Sequence, residues 1–185
     1  MVVIKPLPDI DEATLKRLIV GYTTQTMYQV STETQPGYLR FELRLITLEE
    51  PRVKRYTHLD ANTLGQYREM VATGHSFGAF ANEVCVGLAV SEPQTWNHSL
   101  CLQELHVAPE FRRQGIGRHL LERLTIHARD IGVRCIVCET QTTDVAAIQF
   151  YLATGFRLEG IDLGYYTNED QQHGEMAVFM RKRLA

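Results

Sequence analysis

The chain lacks an apolar run long enough to span a bilayer, a basic excess, and histidines at metal-ligand spacing. Each absence excludes a class. Without about 20 consecutive apolar residues no membrane-spanning helix is expected. The start, Met1 to Asp11, is a short apolar stretch broken by Pro6 and Pro8 and has no long apolar segment, so the expected location is the cytoplasm. A net charge of −3 over 185 residues argues against a general binder of nucleic acid or membrane surface, whose footprint is basic. The cysteines are Cys85, Cys101, Cys135 and Cys138. Cys135 and Cys138 form a C-x-x-C, but inside the β-branched run Val133 to Cys138, where a period of two sends positions three apart to opposite faces. They read as small apolar core residues of a reducing compartment, and no metal is expected. No repeat, low-complexity segment or linker divides the chain, so residues 1–185 read as one domain, able to bury about 70% of its unfolded surface.

What is present is a series of short elements. Asp11 to Val20 has the pattern of a helix stopped by Gly21, and Tyr22 to Ser31 and Tyr38 to Thr47 form a hairpin around Thr34-Gln35-Pro36-Gly37. Leu59 to Ala72 is helical through Leu64, Tyr67 and Val71. Strands follow at Ser76 to Asn82, Val84 to Ser91 and Ser99 to Val107, the first two turning at Asn82-Glu83. A helix from Ile116 to Ile131 carries the stripe Ile116, Leu120, Leu121, Leu124 and Ala128 and stops at Gly132. Then come a strand Val133 to Thr140, a helix Thr143 to Thr154, a strand Phe156 to Asp162, and a last strand Met176 to Met180 with Arg181-Lys182-Arg183 as its solvated end. Strand, helix and strand across 99–140 imply a parallel pair with a right-handed crossover, whereas the first half is hairpins. The fold class is α/β with a mixed, mostly antiparallel sheet.

The most informative stretch is Glu104 to Leu121, which passes from an apolar strand through a glycine-bearing loop into an amphipathic helix. Gly115 and Gly117 keep side chains away, so backbone N–H groups can converge on a phosphate with the positive end of the helix dipole behind them. A solvated turn with a flexible entry is the other reading. No Lys-Ser/Thr pair follows Gly117, and Leu120 stands where a dinucleotide fingerprint has its third glycine, so nucleotide hydrolysis and nicotinamide binding lose ground. In the following helix, Asp144, Ile148 and Tyr151 fall at i, i+4 and i+7 and share a face.

The spacing Arg112-x-x-Gly115-x-Gly117 resembles the acetyl-CoA pyrophosphate loop of the GNAT (Gcn5-related) N-acetyltransferase superfamily, and Phe150-Tyr151-Leu152-Ala153-Thr154-Gly155-Phe156 is similar to its Phe-Tyr-x-x-x-Gly-Phe signature. Glu139-Thr140-Gln141, Asp144, Asp162, Tyr166 and Asn168 resemble the C-terminal half of streptothricin acetyltransferases, and Phe41-Glu42-Leu43, Pro51, Lys54 and Tyr56 are similar to their N-terminal part. The likeness spans residues 22 to 183. One departure is Asp144, where the family commonly has Asn; a carboxylate is less welcome beside CoA phosphates or carbonyls.

The resemblance implies a splayed central parallel pair and acetyl-CoA as co-substrate. It implies CoA contacts from Leu105, His106, Val107, Arg112, Arg113, Gln114, Gly115, Ile116, Gly117 and Arg118, with Asp144, Ile148 and Tyr151 from the next helix. Tyr151 is implied as general acid toward the CoA thiolate, Glu104 as the base, and a backbone N–H near Val107 as the oxyanion donor. Read without the resemblance, Tyr151 is a core-edge residue and Glu104 a sheet-surface carboxylate paired with a neighbouring cation. Glu139, Asp162 and Tyr166 are candidates for the acceptor pocket, with Glu33 and Glu42 as further carboxylates; each also reads as an ordinary surface residue. The expected reaction is direct acetyl transfer in a ternary complex to a primary amine of a small basic molecule, and antibiotic resistance is one use of it. A protein N-terminal or lysine acetyltransferase and a non-catalytic acyl-CoA-binding module are the alternatives. A homodimer is left open, and no nucleic-acid or membrane partner is expected.

Overall fold

A computed structural model describes residues 1–56 and 60–184. The chain divides into two units, one built from Met1–Val20, Arg55–Cys138 and the tail from Lys182, the other from Gly21–Lys54 and Glu139–Arg181.

In the first unit, β1 (Val2–Pro6) pairs antiparallel with β4 (Phe77–Ala81), β4 with β5 (Val84–Gln94), and β5 with β6 (Ser99–Val107). The β4–β5 hairpin turns at Asn82 (φ 46°) and Glu83 (φ 64°), two left-handed residues in the mirror-image turn that matches strand twist. β6 then pairs in parallel with the start of β7 (Cys135–Gln141), from Ser99/Cys135 to Leu102/Cys138. Helix α3 (Ile116–Asp130) makes the crossover, and its predicted stripe, Ile116, Leu120, Leu121, Leu124 and Ala128, is buried throughout. Its exit is set by Gly132 at φ 73°, with Val133 N–H returning to the Ala128 carbonyl at 3.2 Å.

Two shorter helices, α1 (Glu12–Leu18) and α2 (Ala61–Ala72), pack Leu15, Leu18, Tyr67 and Val71 with Leu88 and Val90 of β5. The expected start of α2, Leu59, lies outside the described residues. Strand β6 is irregular in two ways. Val90 pairs with Glu104 but Ser91 with Leu102, so Gln103 is an extra residue, a bulge that re-aims the strand. The parallel ladder stops at Leu102/Cys138, although β6 runs on to Val107.

The second unit contains an antiparallel ribbon, β2 (Tyr22–Gln35) with β3 (Tyr38–Lys54), turning at Pro36-Gly37 with Gly37 at φ 77°. It also holds the end of β7, helix α4 (Val145–Ala153), β8 (Arg157–Asp162), the short α5 (Asp170–His173), and, as far as Arg181, β9 (Ala177–Arg183), which pairs antiparallel with β8. The architecture is therefore mixed α/β, mostly antiparallel, with one parallel pair and flanking helices.

Two strands run further than the sequence predicts, and one adds to it. The N-terminal apolar start forms strand β1, and Pro6 is tolerated there because β1 is an edge strand. The ribbon is longer than predicted, because pairing resumes at Thr24/Arg52 after an irregularity that absorbs Pro51. The last strand, β9, runs on through Arg181-Lys182-Arg183; Arg183 is exposed, while Arg181 is half-buried, paired with Arg157 in register and 3.3 Å from the Glu159 carboxylate. All four cysteines stand outside disulfides, Cys135 and Cys138 buried. Among the described residues, no helix is long and apolar enough to cross a membrane.

Candidate active site

Helices α1, α2 and α4 begin alike: Asp11, Asp60 and Asp144 stand at their N-caps and accept hydrogen bonds from the N–H groups of Thr14, Thr63 and Ala147. Helix α3, the longest, does not. Its N-cap is Gly115, no side chain bonds back, and its first turn contains no acid. The first N–H groups of any helix have no intrahelical acceptor, and here Gly115 has no side chain to supply one. Around that end stand Arg112, Arg113 and Arg118, all exposed, an arrangement that opposes the helix dipole until an anion arrives. The chemistry fits a phosphate.

The loop is shaped for this end. Arg113 (φ 61°) and Gly115 (φ 83°) are both left-handed, a conformation costing a non-glycine residue about 1–2 kcal/mol. Arg112 Nε donates to the Val107 carbonyl at 2.9 Å, and Gln114 Nε2 to the Glu110 carbonyl at 3.2 Å, tying the loop to β6 and to the 3-10 turn Pro109–Phe111. The Ile116 side chain is buried, so only its backbone is available at the helix start. Leu105, His106 and Val107 are half-buried on the β6 segment beyond the parallel ladder.

Glu104 lies on that same segment. Its Oε2 accepts from His106 Nε2 at 2.6 Å and its Oε1 from the hydroxyl of Tyr67. Burial, and after it the negative charge of Glu104, pushes the Tyr67 phenol far above its ordinary value, so it stays a donor. Glu104 therefore differs from the surface carboxylate of the plainer reading, since its partners are a histidine and a buried tyrosine. Sequence reasoning took Tyr67 only as a stripe residue of α2; the signal was a hydroxyl in an apolar stripe, which needs a partner when buried.

In the second unit, Ile148 and Tyr151 are buried on α4, with the Tyr151 ring centroid 5.1 Å from that of Phe156 and 5.6 Å from that of Phe150. The Asp144 carboxylate caps α4 through Ala147 N–H at 2.9 Å, a role an asparagine fills equally well. Tyr166 and Glu139 are brought together: the phenol donates to the carboxylate, and desolvation followed by the Glu139 charge drives the phenol well above its ordinary value. Lys54 pairs with Glu175 and lies 6.0 Å from the Tyr166 ring. The Asp162 carboxylate accepts from Gly164 N–H at 3.0 Å. Glu33 bonds the Gln35 amide, and Glu42 is clasped on the exposed ribbon by Arg40 and Arg44 at 2.9 and 2.8 Å.

Comparison with known proteins places the chain in a family. The chain is 28% identical over 179 residues to the streptothricin acetyltransferase of Streptomyces lavendulae, covering 92% of this chain and 88% of that one. It is 31% identical over 106 residues to a streptothricin acetyltransferase of Escherichia coli, covering 56% and 59%. Among solved structures, nourseothricin acetyltransferase matches with a TM-score of 0.77 at 26% identity over 100% of this chain and 99% of that one. A Bacillus anthracis structure in complex with acetyl coenzyme A shares the fold, with a TM-score of 0.76 at 19% identity, covering 100% and 99%. The model of the acetyltransferase (GNAT) family matches residues 40–156, more than half of the chain, and this sequence is thereby an N-acetyltransferase belonging to the GNAT family.

Proposed function

We propose that residues 1–185 act as one catalytic domain that transfers an acetyl group from acetyl-CoA to a primary amine of a small basic molecule, streptothricin-like or related, in a ternary complex. The observation that carries the donor half is the uncapped, arginine-ringed start of α3. The acceptor half is supported by the likeness to the Streptomyces lavendulae enzyme along nearly the whole chain. The proposed location is the cytoplasm, with resistance to such an antibiotic as one use.

Acetyl-CoA supplies an activated thioester whose carbonyl carbon the amine attacks. The N–H groups of Gly115, Ile116, Gly117 and Arg118, with the Arg112 and Arg113 guanidinium groups and the Gln114 amide, hold the pyrophosphate. Leu105, His106 and Val107 line the pantetheine arm, joined by Asp144 and Ile148 at the start of α4. An acceptor amine with an ordinary pKa of about 10.4 arrives as an ammonium ion, and Glu104 takes its proton, directly or through a water. As the nitrogen lone pair forms the new C–N bond, Val107 N–H meets the oxygen on which charge develops. The C–S bond then breaks, Tyr151 gives its phenolic proton to the sulfur, and the second proton that the new amide nitrogen sheds returns the phenolate to phenol through water. Glu139, Asp162 and Tyr166 offer acceptors to a cationic substrate.

The test is thiol release from acetyl-CoA across streptothricin-like compounds, polyamines, lysine derivatives, aminoglycosides and peptides, with mass spectrometry of each product. Turnover of a small amine with a mass gain of one acetyl group is expected. Turnover of peptides alone makes the chain a protein acetyltransferase, and acetyl-CoA binding without release on any amine makes it a binding module.

A further inference from the structure

Glu104 has three side-chain torsions and stands on a strand, so without partners its carboxylate would sample several positions. Both of its oxygens are engaged, and from different elements. Tyr67 reaches Oε1 from α2, and His106, two residues along β6 and so on the same face, reaches Oε2. The His106 ring is set in turn by the edge of Tyr56, centroids 6.4 Å apart and planes at 81°. Tyr67 itself is only 8% exposed, held among Leu15, Leu18, Leu88 and Val90.

We infer that Tyr67 is a positioning residue of the acetyl transfer: from α2 it fixes the carboxylate of Glu104 in the plane from which that group receives the proton of the acceptor amine. The inference rests on the proposed role of Glu104. A carboxylate offers about four lone-pair directions, two on each oxygen. One donor on each oxygen orients the group and leaves a second direction on each for a water or an ammonium hydrogen. Among the described residues, the titratable groups gathered here are Tyr67, His106 and Tyr56; β5 faces Glu104 and His106 in register with Val90 and Leu88, which are apolar. Tyr67 thus serves as a fixed donor, and the proton that moves is the one Glu104 accepts.

A purely structural tyrosine would also hydrogen-bond when buried, so the test needs readouts that packing alone does not move. Tyr67→Phe keeps the ring and removes the donor. With the amine found by the panel, kcat is expected to fall about tenfold to a hundredfold, while the dissociation constant for acetyl-CoA stays within twofold of wild type. A Tyr67→Phe protein that melts earlier but keeps its kcat overturns the inference.

Glu104→Gln, measured alongside, separates the two claims. If it loses turnover at neutral pH and regains part of it as free amine increases, while Tyr67→Phe behaves as wild type, the base assignment stands and the positioning role falls. If Glu104→Gln turns over like wild type at every pH, the base assignment fails and takes the positioning role with it.

Discussion

Arg112 Nε and the carbonyl of Val107 lie 2.9 Å apart, so the first arginine of the glycine loop is tied to the last residue of β6. One side chain thus couples the strand that carries Glu104 to the loop that ends at Gly115. Arg112→Ala removes that tie together with a cation facing the helix start. Acetyl-CoA affinity should drop about tenfold, corresponding to roughly 1.5 kcal/mol for a charge-assisted hydrogen bond, with kcat at saturating acetyl-CoA much less affected. Titration calorimetry on the variant measures the first effect and steady-state kinetics the second.

Gly115 is needed for its backbone angle and not for its size. A Cβ built there would meet nothing nearer than the His119 ring at 3.7 Å, yet φ is 83°. Gly115→Ala should therefore cost about 1 kcal/mol of stability. Wild-type protein with acetyl-CoA at ~100 times its dissociation constant should gain about 2.7 kcal/mol, and most of that gain should disappear in a folded Gly115→Val variant, whose branched side chain is worse still at positive φ. Thermal melts with and without acetyl-CoA give both numbers, and an undiminished ligand shift in Gly115→Val rules the loop out as the pyrophosphate site.

Tyr151→Phe removes one oxygen from a buried ring packed on Phe150 and Phe156. Acetyl-CoA binding should persist, while turnover drops by roughly 10² to 10⁴ if proton donation to the thiolate limits the rate. Equal turnover of variant and wild type across the pH range removes Tyr151 from the chemistry.

Asp170 offers a test at acid pH. Burial disfavours its charge, but the Thr167 hydroxyl at 2.7 Å and the N–H groups of Tyr166 and Thr167, each at 2.8 Å, outweigh that and hold the carboxyl below its ordinary value of 3.8. A folded-state pKa below the unfolded one stabilises the protein fully above about pH 4, and that contribution is lost as pH falls through the folded value. Asp170→Asn should lower the urea midpoint at pH 7 and flatten the decline between about pH 4 and 2. Parallel declines in the two proteins would assign the acid sensitivity to other carboxylates.

The start of α3 was legible in the sequence because two strong signals coincide: a glycine at the N-cap and a five-residue stripe with helical spacing. The β4–β5 hairpin was legible through its apolar runs on either side of Asn82-Glu83. β1 was not, since Pro6 and Pro8 look like breaks unless the partner strand β4 is known. The far end of the ribbon was hidden by Leu48-Glu49-Glu50-Pro51, which interrupts alternation at the point where the register shifts from Thr26/Thr47 to Thr24/Arg52. At the site, the loop was read from local spacing and Glu104 from the family resemblance. Tyr67, Lys54 and Glu175 acquire their partners at sequence separations of 37 and 121 residues, which no local pattern encodes.

Neither unit is continuous in the chain, and this sets the order of events during synthesis. The first unit joins Met1–Val20 to residues beyond Lys182, where Leu184 N–H reaches the Arg134 carbonyl at 3.0 Å. The ribbon of the second unit is anchored by Tyr28 N–H to the Thr142 carbonyl at 2.9 Å. At about 5–20 residues per second, the ribbon leaves the ribosome on the order of ten seconds before Thr142 does. During that interval it is an isolated two-stranded hairpin, which is marginal in water, and it carries the exposed Leu39 and Phe41. Chains truncated before residue 142 therefore hold this ribbon without its anchor, and nascent-chain protease protection of residues 22–54 should appear only after that point is translated.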